Sequence, residues 1–113
     1  MNESLYSFVT WIYVNIYVIR IVYNSYIPIE IFYVSEKEEF PHYIKNLILE
    51  LGQVTFIDLL DKLDIGQITE DKINELRGYQ TKPLSCLCSS FKEIILMDAD
   101  AIVFMDPIKF FNI

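Results

Sequence analysis

The sequence predicts an α/β fold with a mostly parallel sheet and flanking helices. Three observations carry that prediction. Residues 28–34 (PIEIFYV), 54–59 (VTFIDL) and 94–97 (IILM) are short apolar runs. The first two are rich in the β-branched and aromatic residues that favour strands. Helical patterns lie between them, and strands that alternate with helices build parallel sheets. The last run opens onto Asp98-Ala99-Asp100. Open α/β sheets bind ligands outside the carboxyl ends of their strands.

Residues 1–23 read as one apolar, Tyr-rich element, helical in its second half. Asn24-Ser25-Tyr26 reads as a turn. In the first strand, Pro28 stands at the start, where proline is tolerated. Residues 35–39 form a solvated loop or helix start. Tyr43, Ile44, Leu47, Ile48 and Leu51 are spaced as on one helix face, and Gly52 follows as a stop. Residues 61–69 are a polar connection. Thr69-Glu70-Asp71 starts a short helix that ends at Arg77-Gly78. Residues 79–91 form a further helix with Pro83 in its first turn. After the acidic triplet comes the short apolar run 101–105. Asp106 then caps a helix that begins with Pro107.

The 113 residues are 53% hydrophobic, enough to pack one small domain or part of a larger one. A formal net charge of −7 argues against a phosphate-backbone partner, and no basic stripe or nucleic-acid motif is present. Cys86 and Cys88 are too close in sequence for an unstrained disulfide and read as small apolar fillers. Residues 5–19 carry no charge, yet they are shorter than the roughly 20 apolar residues a membrane helix needs. With no basic segment before them, they read as a buried helix rather than a signal peptide or anchor.

Paired carboxylates at a strand end suit a divalent cation held against substrate phosphates. A D-x-D triplet alone is common in acidic proteins, where it reads as two solvated turn acids. Here it closes a longer ordered block. Arg77-Gly78-Tyr79-Gln80-Thr81-Lys82-Pro83-Leu84 comes first, then Ser89-Ser90-Phe91-Lys92-Glu93. Leu96-Met97-Asp98-Ala99-Asp100 and Asp106-Pro107 follow. This block resembles the fungal α-1,3-mannosyltransferase family of the secretory pathway, which runs GYQ-x-KP, SSF-x-E, an apolar strand, DAD and DP. The segment Ile27-Pro28-Ile29-Glu30 is similar to that family's LPIE strand, with Arg20 in the helix before it.

The resemblance implies a Rossmann-like, A-type nucleotide-sugar fold. It implies GDP-mannose as donor, a divalent metal (usually manganese) and a mannose-ended glycan as acceptor. Family members are type II Golgi membrane proteins that work in the lumen. Asp98 and Asp100 match the acids that contact metal and nucleotide. Lys82 and Tyr79 match motif positions near the donor. Asp58 closes its strand as Asp100 does and is a second candidate at the sheet edge. His42 reads as a surface residue, and Glu30 either pairs with Arg20 or faces water. Ala101 stands where the family has Asn or Asp. The expected organisation is the central part of one such domain over residues 1–113, cut short after Ile113 and lacking a first strand before Tyr6. Two alternatives remain: a non-catalytic remnant, and another D-x-D sugar transferase of the glycogenin type. The GYQ-x-KP block argues against the latter.

Overall fold

The computed structural model describes residues 3–33, 41–59, 61, 81–98, 103 and 105–112. The architecture is α/β and is compatible with part of a Rossmann-like domain. Helix α1 runs Glu3–Tyr17 and continues without a break into a π-helical turn, Val18–Val22. Strand β1 (Ile29–Tyr33), helix α2 (His42–Leu49) and strand β2 (Val54–Asp58) follow. Then come helix α3 (Thr81–Cys88) and a 3-10 turn over Pro107–Asn112. Strands β1 and β2 pair in parallel, as a strand–helix–strand unit requires.

The chain divides into two compact units. One comprises Met1–Ile29, Phe40–Thr55 and Met97–Ile113; the other comprises Glu30–Glu39 and Phe56–Leu96. In the first unit, α1 packs on α2. Val9 and Ile16 lie two helical turns apart on one face, and both are buried, as are Ile19 and Ile48. The burial of this face explains why the helix begins at Glu3 rather than halfway along the segment. Packing of an apolar face outweighs the poor helix propensity of β-branched and aromatic residues. No helix among the described residues is long and apolar enough to cross a membrane.

The exit from α1 is unusual. The Tyr23 amide donates to the Val18 carbonyl at 3.1 Å, and the Ser25 amide donates to Ile19 at 3.0 Å. Asn24 then takes φ 51°, in the left-handed region that asparagine tolerates. Helix α2 is entered from Pro41, whose carbonyl accepts from the Lys45 amide at 3.1 Å. It ends where the sequence places its stop. Gly52 has φ +90°, and its amide donates to the Leu49 carbonyl at 3.1 Å.

In the second unit, Ile31, Ile57 and Leu59 are buried, and the Tyr33 and Phe56 rings meet edge to face at 6.4 Å. The expected third strand is not formed. Residues 94–97 make no strand, and Ile94, Ile95, Leu96 and Met97 are each 39% or more exposed. A strand exists only through its ladder to a neighbour. No strand among the described residues pairs with this run. Both cysteines are free thiols, and the filler reading needs correction at Cys86, which is exposed, while Cys88 is half-buried. The Asp106 cap does form, since its Oδ1 accepts from the Ile108 amide at 3.1 Å. The short helix expected between Thr69 and Gly78 lies outside the described residues.

Candidate functional site

Among the described residues, Arg20 is the one charged side chain that is fully buried, with 1% of its surface exposed. A buried charge must be hydrogen-bonded or it is costly. Here backbone carbonyls supply the acceptors. Nε donates to Gly52 at 3.0 Å and Nη1 to Ser25 at 2.8 Å. Nη2 donates to Ile27 at 2.7 Å and to Gln53 at 3.3 Å. The guanidinium carbon also lies 5.6 Å from the centre of the Tyr26 ring, within cation–π range. Burial lowers the guanidinium pKa, and Tyr26 opposes that shift. One side chain thus ties the exit of α1 to the turn that follows α2.

Glu30, expected against Arg20 or water, has other partners. The Ser89 hydroxyl donates to its Oε1 at 2.5 Å. The Ser90 hydroxyl and amide both donate to Oε2, at 3.0 and 3.4 Å. The Phe91 amide in turn donates to the Ser89 hydroxyl oxygen at 3.1 Å. The LPIE-like strand and the Ser-Ser-Phe motif are therefore joined through one carboxylate. The signal for this was present in the sequence, because a charge within an apolar strand needs partners. Which residues would supply them was not visible there.

Tyr33 closes β1 and Asp58 closes β2. The Tyr33 phenol pKa is raised, first by burial and then by the negative charges of Asp58 and Asp61. A raised pKa on an acid means that the folded state holds its proton more tightly than the unfolded state does. Its contribution to stability is full below the ordinary tyrosine value of about 10 and is lost as pH rises through the folded value. Stability should therefore fall above about pH 10, and Tyr33→Phe should blunt that fall. Denaturant titrations at a series of alkaline pH values check this. An identical alkaline loss in the Phe variant would refute it.

Asp98 is exposed at the end of the irregular run 94–97. Lys82 is exposed in the first turn of α3, on the segment that leads to Ser89. Tyr79 and Asp100 lie outside the described residues. Among the described residues, no group of three or more His, Cys, Asp or Glu side chains is placed to hold a metal ion. An exposed carboxylate such as Asp98 nevertheless offers the hard oxygen that magnesium-like cations take. Such ions keep several waters and complete their shell with substrate phosphates. The donor chemistry of Asp98 thus fits a cation shared with a phosphate ligand and does not make a cage of its own. His42 is exposed on α2, as the sequence suggests.

The model of the family described as "Mannosyltransferase putative" matches residues 5–113 and so spans both strands, Glu30, Ser89-Ser90 and the whole D-x-D block. No curated protein and no solved structure matches the chain. With nearly its full length aligned to that model, the chain belongs to this mannosyltransferase family.

Proposed function

We propose that the chain acts in metal-dependent transfer of mannose from GDP-mannose to a mannose-ended glycan, as an α-1,3-mannosyltransferase of the Golgi lumen. The observation that carries this reading is the family match over residues 5–113, with the GYQ-x-KP, SSF, DAD and DP motifs in order inside it. Asp98 and Asp100 would hold the cation, manganese by the same resemblance. A bound cation there supplies charge stabilisation to the departing diphosphate without a proton. Asp100 is assigned as the direct ligand, and Asp98 as the partner of ribose or of a metal-bound water. Lys82 brings a compact positive charge to phosphate or sugar hydroxyls. That charge matters in a chain with a net charge of −7, which otherwise repels an anionic donor. By the same resemblance, Tyr79 matches a motif position near the donor. Association with the membrane follows from the same family resemblance.

The test is binding before turnover. GDP with manganese, at about ten times its Kd, should stabilise the fold by about 1.4 kcal/mol through mass action. That is several degrees of melting temperature for a chain of this size. Asp98→Ala combined with Asp100→Ala should abolish the shift. No shift in the folded parent would sink the donor assignment. A full shift in the double variant would move the metal site elsewhere in the chain.

A further inference from the structure

Glu30 sits on β1, and its carboxylate uses both oxygens on one short stretch of chain. Ser89 and Ser90 follow immediately after α3 ends at Cys88. Ser89 also passes the grip onward, because its hydroxyl oxygen accepts from the Phe91 amide while its proton goes to Glu30. The chain is therefore held at the carboxyl end of α3, whose first turn carries Lys82, a group assigned to the donor.

Hydrogen bonds to a charged acceptor are shorter and stronger than neutral ones. They also have direction, which an apolar contact lacks. Leu87 beside this point is 80% exposed, and residues 94–97 make no strand. Ser85 on the same helix is buried, so the carboxylate adds a directed hold at the helix's end to the packing along it. Glu30 occupies the second position of β1, near the strand's amino end. Ligands of open α/β sheets gather beyond the opposite, carboxyl end. A direct ligand-binding role for Glu30 is therefore disfavoured, and a role through the chain it grips is favoured.

We propose that Glu30 is a positioning residue for donor binding, acting through Ser89 and Ser90 on the end of α3, the helix that carries Lys82. The proposal rests on the donor reading above. It predicts that loosening the grip weakens the donor complex beyond any loss of stability. Titration calorimetry with manganese and GDP, well below each variant's melting temperature, measures this. Glu30→Gln removes the charge and leaves one acceptor oxygen where two now meet three donors, and should weaken binding about tenfold. Ser90→Ala, at an exposed position, keeps the fold and should weaken binding severalfold. Combining the two should cost less than the product of the separate losses, because both remove one shared interaction.

A merely structural Glu30 would lower the melting temperature and leave the affinity of the folded protein unchanged. Parent-like affinity in folded Glu30→Gln and Ser90→Ala would overturn the proposal while leaving the donor reading intact. If the folded parent fails to bind manganese and GDP, the donor reading falls and this proposal falls with it.

Discussion

Arg20→Ala should lower the unfolding free energy by about 3–5 kcal/mol, since a hydrogen bond from a charged group is worth about 1.5–3 kcal/mol and several are lost together. The loss includes what the bonds leave behind. The carbonyls of Ser25, Ile27, Gly52 and Gln53 all lose their guanidinium donor. An unsatisfied buried acceptor costs about 1–3 kcal/mol, and water can recover part of this where the carbonyl is only partly buried. The Tyr26 ring loses its cation as well. Small domains hold about 5–15 kcal/mol in total, so such a loss approaches complete unfolding. Arg20→Lys should fall between the two, because an ammonium is a point charge without the planar fork that reaches divergent carbonyls. Urea unfolding with a constant slope measures the series. A loss below about 1 kcal/mol in the Ala variant would mean that water replaces the guanidinium at little cost.

Ile48→Ala should cost about 2–5 kcal/mol, with Ile48→Val costing about 0.5–1.5. Ile48 has no exposed surface and is the buried residue of α2. Its neighbours on that helix, Leu47 and Leu49, are both more than 40% exposed. The helix therefore engages its unit through a narrow contact, and few other side chains can take up the space that a truncation leaves. The cost of a cavity depends on how far its walls collapse. Two effects of this size in one unit, from Arg20 and Ile48, would not combine additively if both loosen the turn after α2. Denaturation of the single and double variants separates the two cases. A loss under about 1 kcal/mol for Ile48→Ala would show that the unit repacks freely.

Local chemistry made much of this fold legible. Strands β1 and β2 stand where alternation and β-branching place them, α2 ends at Gly52, and the Asp106 carboxylate caps the next turn. Each is decided within a few residues. The third strand was misread because an apolar run signals a tendency to be buried and carries no information about a neighbour to pair with. The setting of Arg20 was invisible for another reason. Its acceptors are main-chain carbonyls, which every residue has, so no letter in the sequence marks them. Of the candidate site, the motif order was readable and the family match agrees with it at the level of mannosyl transfer. The anchoring of Ser89 and Ser90 on Glu30 required the fold, because these residues lie far apart in the chain.

The connection between α1 and β1 looks, from its Asn-Ser-Tyr composition, like a place where relatives could vary in length. The ring of bonds there says otherwise. Ser25 is buried, its amide returns to Ile19, and its carbonyl, like that of Ile27, returns to Arg20. Adding or removing one residue between Arg20 and Ser25 would misalign every one of these closures at once. Loops ordinarily absorb insertions because little depends on their length. This one behaves as core, and a relative whose spacing differs here would have to replace the arginine as well.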